Sequence, residues 1–178
     1  MRHVISVLMQ NEPGALTRLT CLFSTRGYNI ESLNVAPTED AGISRLTVTT
    51  TGSDAAIDQI AKQIAKQIDV IDMYDMTLGD HFEREIALVK LSRRVPDIAA
   101  VQRFCNEHGA SILDDSPASF TMELASSTAA VDRFIQGLES FCEIVALVRS
   151  GAVGISRGAT VMEGEVTPAV ALRDEAAG

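Results

Sequence analysis

Apolar residues in positions 1–78 recur with the two-residue period of strands and the longer period of helices, and they predict the order strand, helix, strand, strand, helix, strand. The first strand, Val4–Met9, is apolar except at Ser6, which is typical of a strand covered on both faces. Pro13 is expected in the first turn of the following helix, because its missing N–H has no partner there in any case. Gly27 is expected to end that helix.

Two further strands, a helix and a last strand complete this first set. The strands Ile30–Thr38 and Ile43–Thr51 are rich in β-branched residues, and Glu39–Gly42 between them has the composition of a hairpin turn. Ser53 can cap the second helix, and Val70–Leu78 is predicted as the fourth strand. The inner stripe of the second helix is predicted to comprise Ile57, Ile60, Ala61, Ile64 and Ile68.

The same order of elements recurs in the second half of the chain, where the first helix is predicted to begin at Pro96 and to end at Gly109. Gly109 follows Ile86 at the same spacing at which Gly27 follows Val4, so the register is shared between the two halves. The other predicted elements are the strands Glu85–Leu91, Ser111–Asp115 and Ser119–Leu124, a helix that begins near Thr128, and the strand Ile144–Arg149.

Such a repeat predicts an α+β fold made of two tandem ferredoxin-like βαββαβ units, each of which is a split-βαβ sandwich. We expect a first domain over residues 1–78, a linker over 79–83 and a second domain over 84–158. Beyond these residues the periodic pattern fades, and small and acidic residues dominate. Residues 159–178 are therefore expected to form a flexible tail.

Composition and charge narrow the range of partners. A hydrophobic share of 46% and a mean hydropathy of +0.14 are typical of a folded globular protein. The formal net charge of −9 argues against nucleic acid or an anionic membrane surface as a partner. The sequence shows neither an apolar run long enough to span a membrane nor a secretory signal, so we expect a cytoplasmic protein. The three cysteines are expected to be buried and reduced: Cys21, Cys105 and Cys142.

Residues in an arrangement that suits catalysis or metal binding are scarce. The sequence contains no zinc or iron–sulfur ligand spacing, no nucleophile elbow and no Walker A motif. The glycines after the last predicted strand have the wrong spacing for a phosphate loop, so a flexible turn is expected at Gly151, Gly154 and Gly158. Neighbouring acids are expected to be solvated surface charges: Glu83, Glu85, Asp114 and Asp115. We predict no catalytic residue, metal or cofactor on this chain.

One group of residues suggests a binding site. Asn11 and Asn29 flank the first predicted helix, and together with the N-terminus of that helix they are expected at one end of the sheet. The N–H groups of a helix N-terminus can bind a carboxylate, with a dipole contribution of ~0.3–1 kcal/mol. Asparagine carbonyls can accept hydrogen bonds from an ammonium group. We therefore predict a site for an amino acid with a short branched side chain, formed by Asn11, Gly14, Ala15, Leu16, Asn29 and Ile30.

A plainer interpretation of the two asparagines remains open. Asn11 can sit in a turn and cap the helix, and Asn29 can be a turn residue after Gly27. The second copy of the repeat favours binding, because it keeps the pattern of the fold but not these residue types. Alignment of the two copies puts Arg93, Pro96 and Ser111 at the places of Asn11, Gly14 and Asn29.

Five segments occur in order along the chain: Asn11–Leu16, Arg26–Leu33, Val35–Thr38, Glu83–Lys90 and Arg149–Gly158. Together they closely resemble the small, regulatory subunit of acetolactate synthase (acetohydroxyacid synthase). The resemblance runs from Met1 to about Gly158. It implies an N-terminal ACT domain followed by an ACT-like C-terminal domain.

The resemblance also implies a homodimer whose ACT domains pair edge to edge, with valine bound at the interface. The effector site would then be shared between the chains: Asn11, Gly14, Ala15 and Leu16 from one protomer, and Asn29 and Ile30 from the other. In this family the catalytic subunit, and not the small subunit, carries thiamine diphosphate, Mg²⁺ and FAD. That subunit condenses two pyruvates to 2-acetolactate and CO₂.

The function implied by the resemblance lies in the biosynthesis of valine, leucine and isoleucine. The chain would activate the catalytic subunit and confer feedback inhibition by valine, without catalysis of its own. The alternative is a free-standing ACT-domain amino-acid sensor that acts on another metabolic enzyme. A transcription regulator would need a helix-turn-helix or a basic patch, and the sequence shows neither.

Overall fold

The computed structural model describes residues 1–92, 97–116, 119–141, 143–158 and 162, which form two α+β units. The first unit contains Met1–Phe82 and the described residues from Gly154 onward, and the second contains Glu83–Val153. Each unit has the element order βαββαβ, so the predicted fold class is confirmed.

The first unit consists of a four-stranded sheet with antiparallel neighbours, in the order β2-β3-β1-β4, and two helices. β1 lies inside the sheet and is buried on both faces, as its continuous apolar sequence predicts, and β2 forms an edge. The elements are β1 (Arg2–Gln10), α1 (Ala15–Thr25), β2 (Ile30–Pro37), β3 (Ile43–Thr51), α2 (Asp54–Ile64) and β4 (Val70–Asp75), followed by a 3-10 turn at Met76–Leu78.

The core of the first unit is formed where one face of the sheet packs against α1 and α2. Alternate residues of the strands point to this face, because side chains of a strand alternate between its two sides. Ser53 caps α2 by accepting a hydrogen bond from the Ala56 N–H at 3.4 Å, as predicted. The core comprises Ile5, Val7, Met9, Leu46 and Val48 from the sheet, and Ala15, Leu19, Phe23, Ile57, Ile60 and Ile64 from the helices.

The second unit repeats this arrangement, with the strand order β6-β7-β5-β8. Its core includes Ala87, Val89 and Leu91 from β5, packed with Val101 and Phe134 from the helices. The elements are β5 (His81–Leu91), α3 (Ile98–His108), β6 (Ser111–Asp115), β7 (Phe120–Ser126), α4 (Thr128–Glu139) and β8 (Ile144–Arg149). A last strand, β9 (Val153–Ser156), follows and belongs to the first unit from Gly154 onward.

The ends of α1 and α3 show the repeat at the level of single hydrogen bonds. Gly27 and Gly109 have φ values of 74° and 73°, in the left-handed region that suits glycine. Behind Gly27 the Tyr28 N–H donates to Phe23 O at 3.0 Å, and behind Gly109 the Ala110 N–H donates to Cys105 O at 2.9 Å. Both helices therefore end in a Schellman motif, as the two glycines predict.

Three predicted boundaries are corrected by the structure. The linker predicted over 79–83 overlaps β5, whose alternation of exposed and buried positions begins at His81. β4 ends at Asp75, because the carboxylate of Asp75 accepts a hydrogen bond from the Thr77 N–H at 2.9 Å and starts the 3-10 turn. The glycines predicted to form a flexible turn, Gly151, Gly154 and Gly158, surround a strand, since β9 occupies Val153–Ser156.

Several side chains also differ from their predicted environments. Ile68 is 88% exposed instead of buried, because α2 ends at Ile64. Cys21 is exposed, whereas Cys105 is buried as predicted. Glu85 is buried rather than solvated, since Arg149 neutralises it.

Some predictions fall on residues that the structure does not describe: Arg93, Pro96, Cys142 and most of the tail over 159–178. The exception in the tail is Met162, which is buried in the first unit. Its sulfur lies 3.4 Å from Nη2 of Arg45.

Candidate functional site

The loop between β1 and α1 makes a tight turn at Gly14. Gly14 has a φ of 87°, a left-handed conformation that L side chains rarely adopt, and it interrupts the helical path between Pro13 and Ala15. α1 therefore begins after Pro13 rather than at it. Within the described part of the chain, the N–H groups of Gly14 and Leu16 donate to no acceptor. These two groups remain available to an anion at the N-terminus of α1.

Ala15 differs from Gly14 and Leu16 in its backbone N–H group. Its N–H already donates to Glu12 O at 3.2 Å, and its side chain is buried in the core of the first unit. Leu16, in contrast, is 38% exposed beside the turn. Of the residues predicted at this turn, Gly14 and Leu16 therefore have N–H groups with no acceptor in the described part of the chain, whereas Ala15 belongs to the core.

A guanidinium group lies over this turn. Arg18 donates from Nε and Nη2 to the two carboxylate oxygens of Asp69, at 2.5 and 2.8 Å. A Cβ atom on Gly14 would lie 3.0 Å from Nη1 of Arg18, so the remaining nitrogen faces the turn. The hydrogen bond from Arg18 lowers the pKa of Asp69, and the same bond raises the pKa of Arg18, while desolvation opposes both effects.

Arg18 is the residue of this site that sequence reasoning missed. Its partner Asp69 is far away in the sequence, immediately before β4, and no local pattern links the two. One signal was present, because Arg18 follows Gly14 by one helical turn and so lies on the same side of α1.

Asn11 connects the end of β1 to the turn between β2 and β3. Its backbone N–H donates to Gly42 O at 2.8 Å, and its side-chain Nδ2 donates to Ala41 O at 2.9 Å. The amide nitrogen therefore has a structural role, but not the helix cap that the plainer interpretation proposed, since no side chain caps α1. The side-chain oxygen accepts no hydrogen bond in the described part of the chain, and it is exposed beside the Gly14 turn.

Asn29 and Ile30 lie at the other end of the sheet. Ile30 pairs with Thr50 of β3, whereas Gln10, which precedes Asn11, pairs with Ile43 at the opposite end of β3. At about 3.4 Å per residue, these two ends are separated by roughly 24 Å. The side chain of Asn29 is exposed, and its backbone carbonyl accepts a hydrogen bond from the Thr50 hydroxyl at 2.7 Å.

The predicted grouping of both asparagines at one end of a single sheet is therefore wrong. A βαβ crossover connects parallel strands, so the loop that enters α1 and the loop that leaves it must lie at opposite ends of the sheet. One chain brings Asn11, Gly14 and Leu16 together and keeps Asn29 and Ile30 apart from them.

The structure places no other constellation for chemistry in the described residues. No group of three or more His, Cys, Asp or Glu side chains is arranged there to hold a metal ion. In the same part of the chain, no helix is long and apolar enough to cross a membrane.

Comparison with known proteins gives the family. The model "AHAS small subunit-like ACT domain" matches residues 5–72, and the model "Small subunit of acetolactate synthase" matches residues 84–158. The isozyme 3 small subunit of acetolactate synthase from Escherichia coli is 43% identical over 162 residues, with 91% of this chain and 99% of that protein covered. The chain belongs to the family of acetolactate synthase small subunits.

Other members agree with this assignment. The acetolactate synthase small subunit of Haemophilus influenzae is 40% identical, with 89% of this chain and 97% of that protein covered. The crystal structure of the acetolactate synthase small subunit from Thermotoga maritima superposes with a TM-score of 0.79 at 29% identity, over 90% of this chain and 99% of that one. Membership in this small-subunit family confirms the resemblance, and the first unit is an ACT domain.

Proposed function

We propose that this chain is the regulatory, non-catalytic subunit of an acetolactate synthase, that it activates a thiamine-dependent large subunit, and that valine withdraws this activation. Thiamine diphosphate, Mg²⁺ and FAD would then belong to the large subunit. One observation supports the effector site. The first unit has two groups of polar residues, which we call half-sites, at the Gly14 turn and at Asn29, and they lie at opposite ends of a sheet that has β2 at its edge.

A second copy of the chain would complete the site. β2 is an edge strand, and it exposes Val35 to 41%. If two β2 strands pair antiparallel about a two-fold axis near their middle, the Ile30 end of one strand lies beside the Pro37 end of the other. Pro37 pairs with Ser44, at the end of the sheet that carries the Gly14 turn. Dimerisation through β2 therefore brings Asn29 of one chain towards Gly14 of the other.

The groups gathered in this way match the chemistry of an amino acid. The N–H groups of Gly14 and Leu16, together with Nη1 of Arg18, are donors for the carboxylate, and hydrogen bonds to a charged group contribute about 1.5–3 kcal/mol each. The side-chain oxygens of Asn11 and Asn29 are acceptors for the ammonium group. The apolar side chain of the ligand would contact Leu16 and, from the other protomer, Ile30.

Regulation follows from the position of the site between two chains. A ligand shifts an equilibrium only through a difference in affinity, so valine must bind the inhibiting arrangement of the dimer more tightly than the activating one. A coupling of about 1–3 kcal/mol would give roughly 5–150-fold regulation. A ligand that contacts both protomers can supply this difference, because its contacts depend on the geometry of the dimer.

Reconstitution tests the proposal. The protein is mixed with a separately purified large subunit, and acetolactate formation is measured with and without valine. We expect activity to rise on mixing and valine to return it towards the level of the large subunit alone. If mixing leaves the activity unchanged, the proposed function is wrong, and valine binding without such an effect would favour a free-standing sensor.

A matched pair of substitutions tests the effector residues. We expect Asn29→Ala to weaken valine binding by about 10-fold, because a hydrogen bond to a charged ammonium is lost. Ser111→Ala, at the equivalent start of β6 in the second unit, should leave the affinity unchanged. Isothermal titration calorimetry measures both, and equal losses in the two variants would show that Asn29 has no special role.

A further inference from the structure

His3 of β1 is a buried ionisable residue that the proposed effector site does not use. Its side chain is 1% exposed, and neither ring nitrogen has a hydrogen-bond partner. Two carboxylates face it from different elements. Nε2 lies 3.4 Å from Oδ1 of Asp54, the first residue of α2, and Nδ1 lies 3.7 Å from Oδ2 of Asp75, the last residue of β4.

The protonation state of His3 decides how many of these contacts it can make. A neutral imidazole has one donor and one acceptor, so one of its nitrogens must present a lone pair to a carboxylate. The imidazolium has two donors and can serve both carboxylates at once. Because N–H···O bonds are about 2.7–3.2 Å long, a shift of a few tenths of an ångström would form both bonds. Protonation would therefore draw β1, α2 and β4 together at this point.

The second unit has a permanent ion pair at the equivalent place. Ile5 pairs with Asp75 in the first unit, and Ala87 pairs with Arg149 at the corresponding position of the second. Glu85 lies two residues before Ala87, just as His3 lies two residues before Ile5. Arg149 donates to both oxygens of Glu85, at 2.6 and 2.9 Å.

In the first unit the basic side chain, His3, is on the first strand and the carboxylate of Asp75 is on the last strand. In the second unit the carboxylate of Glu85 is on the first strand and the basic side chain, Arg149, is on the last strand. Nη1 of Arg149 also lies 2.9 Å from Asp132 of α4, so the pair joins the first strand, the last strand and the second helix of its unit. An arginine remains charged at all relevant pH values, whereas a histidine changes its charge between about pH 5 and 8. The connection in the second unit is therefore a full ion pair, whereas the one in the first can be completed only by an imidazolium with two donors.

His3 lies in one row with the Asn29 half-site. It pairs with Thr50 across β1 and β3, and Thr50 pairs with Ile30 across β3 and β2. The Thr50 hydroxyl donates to the carbonyl of Asn29 at 2.7 Å. We propose that His3 is a proton-sensitive positioning residue, which fixes the Asn29 end of the sheet when it is protonated and loosens it when it is neutral. The expected effect of His3 on valine binding rests on the proposed function, whereas its expected effect on the position of Asn29 does not.

The two carboxylates that face His3 differ in exposure. Asp54 is 79% exposed and Asp75 is 17% exposed, and the second oxygen of Asp75 is already bound to the Thr77 N–H. Just before β1, the terminal ammonium of Met1 donates to Gly52 O at 2.9 Å. β3 presents Thr50, which does not titrate. A comparison of variants at His3 separates its titration from that of the terminal amine.

NMR on the intact protein tests the positioning role directly. The amide shifts of Asn29 and Ile30 are followed from about pH 5 to about pH 8.5, together with the imidazole of His3. We expect these amides to titrate with His3 in the wild type and to stop doing so in His3→Gln. His108→Gln is the control, since His108 is an exposed histidine of α3, and it should leave the titration unchanged.

A double substitution guards against misfolding of the single variant. His3→Glu with Asp75→Arg copies the ion pair of the second unit, so we expect a folded protein in which the Asn29 amide no longer titrates. The proposal is overturned if the Asn29 and Ile30 amides do not titrate in the wild type, or if they titrate equally in the His3 variants.

Valine affinity separates this proposal from the proposed function. We expect the dissociation constant of the wild type to rise by about 5-fold or more from pH 5.5 to pH 8.5, and to stay constant in the double variant. Binding that is independent of pH in the wild type would contradict the positioning role and leave the proposed function intact. Absence of binding at every pH would instead overturn the proposed effector site, while the amide titration still decides the role of His3.

Discussion

Replacing Gly14 with aspartate is expected to abolish inhibition by valine and to leave activation of the large subunit largely intact. The new carboxylate would lie at the N-terminus of α1, where we place the carboxylate of valine, and a Cβ atom there lies 3.0 Å from Nη1 of Arg18. The substitution would thus occupy the anion site with a tethered anion. We expect the concentration of valine needed for half inhibition to rise by about 100-fold or more, as measured in the reconstituted acetolactate assay.

Gly109→Asp is the matched control for this variant. Gly109 has a φ of 73°, close to the 87° of Gly14, so both substitutions place an acidic side chain at a strained position. Gly109 lies in the second unit, and a Cβ atom there meets no atom within 4 Å. We expect its inhibition by valine to be unchanged. Normal inhibition in Gly14→Asp would refute the assignment of the carboxylate site.

The second large effect is expected on stability, from Arg149→Met. Glu85 is 3% exposed, and Arg149 donates two hydrogen bonds to it. Removal of one partner leaves a buried charge without compensation, which typically costs about 3–5 kcal/mol. The interaction with Glu85 raises the pKa of Arg149, so the guanidinium is charged throughout the pH range in which the protein is handled. Unfolding by urea, followed by circular dichroism, measures the loss.

Asp132→Asn provides the comparison within the same cluster. Asp132 is 48% exposed and also contacts Arg149, but water screens its charge. We expect the free energy of unfolding to fall by less than about 1 kcal/mol in this variant. Similar losses in the two variants would show that burial of Glu85 does not set the strength of this cluster.

Strand and helix positions could be predicted where local chemistry decides them. Ile43–Thr51, Ser111–Asp115 and Ile144–Arg149 have the predicted bounds, because turn residues border runs of β-forming residues. Gly27 and Gly109 end their helices as predicted, since a left-handed residue is required there.

Features that depend on the arrangement of distant elements were missed. Glu85 looks like a surface acid in the sequence, and only the neighbouring strand β8 shows that Arg149 neutralises it. The pair of Arg18 and Asp69 joins α1 to the residue before β4 and has no local signature. The exposure of Ile68 depends on where α2 ends, and helix ends are poorly defined by periodicity alone.

The residues of the candidate site stay a prediction, whereas their predicted grouping at one end of a single sheet is wrong. Asn11, Gly14 and Leu16 do lie together, whereas Asn29 lies at the other end of the sheet. The order of strands decides this point, because β1 and β2 both run antiparallel to β3 and therefore parallel to each other. A site that uses both asparagines must therefore draw them from two chains.

Complementation between two defective variants tests this shared site most directly. Gly14→Asp damages one half of the site, and Asn29→Ala damages the other. In a mixed dimer, one of the two sites combines the intact Gly14 turn of one chain with the intact Asn29 of the other. Random mixing makes half of the dimers mixed, so about a quarter of the wild-type number of valine sites should appear.

The measurement is calorimetric titration of valine into each variant alone and into an equimolar mixture that has exchanged subunits. We predict that neither variant binds valine with wild-type affinity, and that the mixture shows sites of wild-type affinity at about a quarter of the wild-type number. A mixture that binds no better than its two components would contradict a site completed by a second chain.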